Sequence, residues 1–144
     1  MWISKIYVTV DALVFRKKDN QNEILLIKRK NEPFKDSWAL PGGFVDENED
    51  LEVAAKRELM EEATVQIEKM EQLKAYGKPF RDPRFHTVSI AFYGFVSENT
   101  VAKAADDAKE VGWFDLNNLP DLAFDHGEII DFAIQKLGLI KNAD

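Results

Sequence analysis

The stretch from Glu49 to Ala63, EDLEVAAKRELMEEA, constrains the fold more than any other part of the chain. It is dominated by good helix formers, and Asn48 or Asp50 stands where an N-terminal cap is expected. Turning about 100° per residue from Leu51 sets Ala54, Ala55 and Leu59 on one side, the side a core would bury. Glu58, Glu61 and Glu62 fall toward that same side, at about 340°, 280° and 20°, while Met60 and Val53 lie opposite, at about 180° and 200°. A glutamate-rich helix is ordinarily a solvated surface, but that reading would put carboxylates where Met60 and Val53 are. Like charges one turn apart cost roughly 0.2–0.5 kcal/mol even in water, and burial raises the cost steeply unless a partner is supplied. The helix is therefore expected to dock against something positive.

Two kinds of partner fit. Arg57, at about 240° on the same wheel, can reach Glu61 but not easily Glu62. A cluster of hard oxygen ligands without His or Cys also suits Mg2+ or Mn2+. Mg2+ is usually shared with substrate phosphates, so the helix points to phosphate chemistry. The net charge of −7 argues against sequence-independent binding of nucleic acid or of an anionic membrane. It leaves room for an anionic small substrate, because bound divalent cations invert the local field.

The rest of the chain frames this helix. Its 144 residues fit one domain, 1–144, and 45 % hydrophobic with 31 % charged content reads as soluble and globular. No run of about 18 apolar residues is present. The start, MWISKIYVTV, lacks a signal-peptide layout, and there are no cysteines for disulfides or thiolate sites. A cytoplasmic location is the default expectation. KIYVTVDALVF (5–15) and EILLIKR (23–29), separated by the polar run RKKDNQN, read as a hairpin. SWALPGGFVDENED reads as a loop centred on Pro41-Gly42-Gly43. VQIEKMEQLKAYG (65–77), HTVSIAFYGFV (86–96) and EVGWFDL (110–116) read as strands. DHGEIIDFAIQKLG reads as a second helix, with Asp125 as its cap and Gly138 just past its end. The mixed order, richer in strands than helices, predicts an α/β or α+β layered domain.

From Gly43 the chain runs through five residues to Glu49, then seven more to RELMEEATV. This resembles the Nudix box, G-x5-E-x7-R-E-U-x-E-E-x-G-U, with U a bulky aliphatic residue. Gly43, Glu49, Arg57, Glu58, Leu59, Glu61, Glu62 and Val65 all match. The departure is Thr64, where the family has glycine. That glycine ends the helix and takes a positive φ cheaply. Thr64 must do so with a β-branched side chain, or the helix must end differently. The carboxylates are untouched, so altered loop geometry is expected rather than lost metal binding. The segments WALPGGFVDENEDLEVAAKREL, FRDPRFHTVSIAFYGFV and LPDLAFDH extend the resemblance to the bacterial ADP-ribose pyrophosphatase group. That group includes the sensor domains of Nudix-type regulators of NAD metabolism. Those regulators usually carry a winged-helix DNA-binding domain after the Nudix domain. The sequence ends a few residues after its last predicted helix, so a Nudix domain alone is expected.

The resemblance implies a Nudix fold, an α/β/α sandwich around a central mixed sheet. It implies hydrolysis of a nucleoside diphosphate linked to another moiety, with ADP-ribose giving AMP and ribose 5-phosphate. Two alternatives stand beside it: a nucleoside triphosphate pyrophosphohydrolase acting on oxidised nucleotides, and a non-catalytic sensor of ADP-ribose. By the same resemblance Glu58, Glu61 and Glu62, with the Gly42 carbonyl, would hold Mg2+, for which Mn2+ can substitute. Arg57 would orient Glu49 and Glu61, and a homodimer follows by analogy. Of the acids before Trp113, Asp107 is the first choice for a metal ligand or a water-positioning base, although such runs are often solvated loops. Arg29, at the end of the second strand, and Arg81 and Arg84, around Asp82-Pro83, are candidate substrate-binding residues because guanidinium forks suit phosphate oxygens. Phe124 could stack on a base but reads more readily as core, and His86 and His126 read as structural or surface residues.

Overall fold

The structure is a computed structural model that describes residues 3–140; the two ends of the 1–144 domain expectation lie outside the described residues. The hairpin is longer than its apolar runs. β1 (Tyr7–Lys18) and β2 (Gln21–Arg29) meet at Asp19-Asn20, whose φ values of 52° and 65° make the tight turn. The polar run is drawn into the strands because Arg16 is anchored there. Its Nε donates to Glu23 Oε1 at 2.7 Å and its guanidinium sits 4.2 Å over the Trp113 ring.

The loop-like segment around Pro41 carries two short strands, β3 (Trp38–Ala39) and β4 (Gly42–Phe44). β5 (Glu71–Tyr76), β6 (Thr87–Phe95) and β7 (Ala108–Asp115) complete one sheet. Its order is β3-β2-β1-β6-β5, with β4 on β1 and β7 on β2. β1 and β6 run parallel and the other pairs antiparallel, so the sheet is mixed as expected. Only the second half of VQIEKMEQLKAYG is strand. Val65, Ile67 and Met70 are buried as irregular chain beneath the helix, which explains apolar residues there without a strand's pairing.

The helices α1 (Leu51–Ala63) and α2 (His126–Leu137) contribute to two different cores. Val10, Ala12, Val14, Leu25 and Ile27 pack with Ala54, Ala55, Leu59 and Ala63 of α1. Leu13, Phe15, Ile24 and Leu26 pack with Ile129, Ile130 and Ala133 of α2. Alternate residues of β1 and β2 thus serve opposite cores, which is why both strands read as continuous apolar runs. Full burial of a side chain such as Leu59 contributes about 1.5–3 kcal/mol.

Helix ends differ from the expected caps. Asp50 is the N-cap residue of α1 but its carboxylate makes no capping bond. Asp125 likewise leaves α2 uncapped, because Arg81 takes both of its oxygens at 2.9 and 2.6 Å. Gly138 ends α2 in the left-handed region at φ 63°, as its position implies. Thr64 ends α1 there too, at φ 58° and ψ 33°, and donates its hydroxyl to Lys103 O at 2.8 Å. The amides of Lys103 and Ala105 in turn satisfy the carbonyls of Ala63 and Glu62 at 2.8 and 3.0 Å.

Two opposing effects therefore meet at Thr64. Glycine would relieve about 1 kcal/mol of left-handed strain while forfeiting a hydrogen bond of about the same net value. Thr64→Gly should leave stability within roughly 0.5 kcal/mol of wild type, whereas Thr64→Val, which keeps the branch and loses the hydroxyl, should cost about 1 kcal/mol. Urea denaturation of both variants checks this, and a Thr64→Val protein as stable as wild type would show that the hydroxyl bond contributes nothing.

Candidate active site

Arg57 answers the charge problem of α1. Its Nε and Nη2 donate to the two oxygens of Glu49 at 2.7 and 2.9 Å. Nη1 donates to Glu58 Oε1 at 2.9 Å and to Glu61 at 3.2 Å, and Nη2 also reaches the Phe44 carbonyl at 3.0 Å. One guanidinium thus ties three carboxylates and β4 to the helix. The Arg57 bonds, aided by the Asp46 amide, hold the Glu49 carboxyl at about 2, well below its usual range. The same bonds hold Arg57 above its own ordinary value.

The next acids lie deeper. Glu62 is 6 % exposed and accepts the Gly42 amide at 2.8 Å. Gly43 passes so close to α1 that a Cβ there would lie 2.6 Å from the Glu58 carboxyl. Gly43 is needed for this approach of backbone to carboxylate, and at Gly42 a Cβ would collide with the Val10 carbonyl and the Asp11 carboxylate of β1. Burial pushes the Glu62 carboxyl up to about 8, with the charges of Glu58 and Asp107 adding to the shift and the Gly42 amide opposing it. Burial raises Glu58 as well, against the pull of Arg57.

These groups face a cavity of about 350 Å3 at one end of the sheet. Glu58, Glu62, Gly42, Gly43 and Asp107 line it, together with Arg29, Arg81 and Arg84. Glu61 does not line it; its side chain is 43 % exposed and turned to Arg57. Glu49 also stands behind the wall, on Arg57. Asp107 belongs to the wall because its carbonyl accepts the Lys30 amide at 3.1 Å and its Oδ1 accepts Asn31 Nδ2 at 3.3 Å.

The three candidate arginines all line the cavity, but they differ in their partners. Arg81 is bidentate on Asp125 and its side chain is 6 % exposed. Arg84 is bidentate on Asp82 at 3.1 and 2.8 Å and lies over Phe85. Arg29 differs. Its Nε donates to Pro33 O at 2.7 Å, its guanidinium sits 5.0 Å over Phe124, and among the described residues its Nη atoms make no hydrogen bond. Phe124 is thus a shelf for Arg29, in contact with Phe34, and not an open stacking face. His86 Nε2 donates to Gly77 O at 3.1 Å, away from the cavity, but His126 lines it. Asp11, Asp82, Thr9 and Thr87 line it too and were not singled out from the sequence. The available signal was Asp11, an acid inside the apolar run VTVDALVF.

Among the described residues no three His, Asp or Glu groups stand close enough to hold a metal as they are arranged. The donor set nevertheless fits one. Glu58 and Glu62 are hard oxygen donors, desolvated and held beside each other with Asp107 across the cavity, and a divalent cation is the species that removes such a charge conflict.

Residues 5–132 match the NUDIX domain family. The chain belongs to the Nudix family. It is 50 % identical over 123 residues to an ADP-ribose pyrophosphatase of Methanocaldococcus jannaschii, an alignment covering 85 % of this chain and 70 % of that protein. It is 34 % identical to the ADPR responsive transcriptional repressor NtrR of Acinetobacter baylyi, over 90 % of this chain and 54 % of the repressor. The NUDIX domain of Shewanella oneidensis NrtR, solved with ADP ribose, superposes with a TM-score of 0.87 at 35 % identity, covering 94 % of this chain and 90 % of that one. This Nudix chain therefore resembles both enzymes and sensors of one nucleotide, and its expected fold, a mixed sheet between helices, is the fold of its relatives.

The buried acid of this Nudix site makes stability depend on pH. A carboxyl that titrates near 4.5 when unfolded and near 8 when folded takes up a proton on folding, so the fold gains stability as pH falls through that window. With metal removed by chelation, wild type should lose stability from pH 5 to 7.5 more steeply than Glu62→Gln, by at most about 1.4 kcal/mol per pH unit. Thermal melts of both proteins across this range test it, and parallel pH profiles would contradict a desolvated Glu62.

Proposed function

We propose that the protein is a divalent-metal-dependent hydrolase of ADP-ribose, yielding AMP and ribose 5-phosphate. The observation that carries the reading is the cavity wall itself: desolvated Glu58 and Glu62 with the Gly42-Gly43 backbone, faced by the unpaired end of Arg29. The similarity to an ADP-ribose pyrophosphatase supports the choice of substrate. Mg2+, or Mn2+ in its place, would be held by Glu58, Glu62 and the Gly42 carbonyl, with Glu61 joining only by turning away from Arg57. Such an ion neutralises diphosphate oxygens and makes bound water a better nucleophile.

The protein's own residues do the rest. Arg57 fixes Glu58 and Glu61 against their mutual repulsion and keeps Glu49 ionised as its own anchor. Asp107, which lines the same cavity, would orient the attacking water or accept its proton. Arg29 offers two fixed donors to the diphosphate, a geometry that costs little ordering because Pro33 and Phe124 already hold it. Arg84 and Arg81, each fixed by its own carboxylate, Asp82 and Asp125, would border the distal part of the substrate as positioning groups. We read the whole chain, 1–144, as a single Nudix domain. It acts on a small-molecule nucleotide in the cytoplasm, with no nucleic-acid or membrane partner, as a homodimer by analogy with relatives.

A sensor without catalysis is the second reading, favoured by the resemblance to NtrR and to the ADP-ribose-bound NrtR domain. Steady-state assays with Mg2+ on ADP-ribose, NADH, diadenosine polyphosphates and dGTP separate these readings. ADP-ribose should give the highest kcat/KM. Glu62→Gln should lower kcat by orders of magnitude, and Arg29→Ala should raise KM for ADP-ribose about tenfold, the cost of one charge-assisted bond. A higher kcat/KM for dGTP would reassign the substrate, and tight ADP-ribose binding without turnover would favour the sensor.

A further inference from the structure

The cavity floor carries a buried acid–histidine pair that the proposed hydrolysis does not use. Asp11 and His126 are 6 % and 5 % exposed, and both line the cavity. Asp11 occupies a β1 position whose neighbours on the α2 side, Leu13 and Phe15, are core residues. An acid at such a place requires partners. One oxygen, Oδ2, accepts the Ser89 hydroxyl. The other, Oδ1, faces His126 Nε2 at 3.4 Å.

The hydrogen bonding of His126 fixes its proton. The Leu40 amide donates to Nδ1 at 3.0 Å, so Nδ1 is the acceptor and the ring proton is on Nε2. Burial lowers the imidazole's pKa, which keeps the ring neutral. A single N–H donor and a single carboxylate acceptor therefore lie 3.4 Å apart, side by side at the cavity, beyond the 2.7–3.2 Å of a good N–H···O bond. A group that accepts from one and donates to the other satisfies both, and a hydroxyl does this. A phosphate oxygen would meet the Asp11 oxygen as another acceptor, and a methyl group would leave both polar atoms unsatisfied.

The rest of the floor tells which hydroxyl. Thr9, Thr87, Asp82 and Arg81 line the same cavity as the pair. The Phe124 ring, also in the lining, already carries the Arg29 guanidinium at 5.0 Å and packs on Phe34 at 4.7 Å, contacts that compete with a base stacking there. We propose that His126 Nε2–H and Asp11 Oδ1 form a hydroxyl-binding subsite for the sugar on the non-nucleoside side of the diphosphate. This rests on the ADP-ribose reading and adds a basis for selecting a polyol at that end.

The test compares ADP-ribose with analogues lacking the 2- or the 3-hydroxyl of the terminal sugar, in wild type and in His126→Asn. Asparagine Oδ1 can replace Nδ1 as acceptor for the Leu40 amide while the Nε2–H donor is lost. Wild type should favour ADP-ribose over at least one analogue by about 10- to 100-fold in kcat/KM, and His126→Asn should reduce that preference to about threefold or less. Asp11→Asn, and calorimetric binding of ribose 5-phosphate against its deoxy counterparts by wild type, give the same reading should His126→Asn fail to fold. Equal handling of all the sugars by wild type overturns the subsite while the substrate reading stands. An equal loss on every substrate in His126→Asn also overturns it, because holding Leu40 in place would explain that result. Neither binding nor turnover of ADP-ribose by wild type removes the substrate reading and the subsite with it.

Discussion

The contact between Arg57 and Glu49 is the one on which the site depends. α1 brings Glu58, Glu61 and Glu62 together, and in an isolated helix they would push it apart. Glu49 precedes the helix and takes two bonds from the guanidinium, which pins Arg57 by its Nε side and leaves Nη1 for Glu58 and Glu61. Nη2 also holds the Phe44 carbonyl, so the strand carrying Gly42 and Gly43 is tied to the same hub. The carboxylates are thereby arranged before any ion or substrate arrives, and this is the condition under which electrostatic catalysis needs little reorganisation.

The second determinant is the central pair of strands. β1 and β2 are covered on both faces, so the α1 side can hold the acidic wall while the α2 side supplies His126. The cavity opens where the two sides meet at the end of the sheet. Its rim is built from short loops held by specific bonds: Asp107 by Lys30 and Asn31, Arg29 by Pro33, Arg81 by Asp125.

Much of this was legible in the sequence, and the rest was hidden for physical reasons. The helix and its misplaced glutamates followed from periodicity, and the spacing from Gly43 to Val65 led to the family. The left-handed turn at Thr64 was foreseen as one of two outcomes because a residue type stood where glycine belongs. What sequence could not supply was pairing between distant residues. Asp82 and Arg84 pair within RDPR itself, but nothing local to that stretch says that Asp125, 44 residues on, occupies Arg81. Periodicity did carry a trace of the split between Glu58 and Glu62, which face the cavity, and Glu61, which does not, since Glu61 lies about 80° round the helix from Leu51, toward Arg57. Asp11 was visible as an odd residue in an apolar strand, but its partners come from β6 and α2. Val65, Ile67 and Met70 mimicked a strand because burial, and not pairing, set their pattern.

The alternation along β1 divides the interior into two compartments that share a backbone but no side chains. Val10, Ala12 and Val14 belong to the compartment under the acidic helix, and Leu13 and Phe15 to the one under α2. Repacking the odd-numbered set could firm up the molecule with little disturbance beneath the carboxylates, whereas a volume change in the even-numbered set would be transmitted to Leu59 and so to Glu58 and Glu62 on the same helix. Along β1 the positions that bear on the acidic helix thus alternate with those facing α2, where Leu13 and Phe15 are core and Asp11 reaches the cavity.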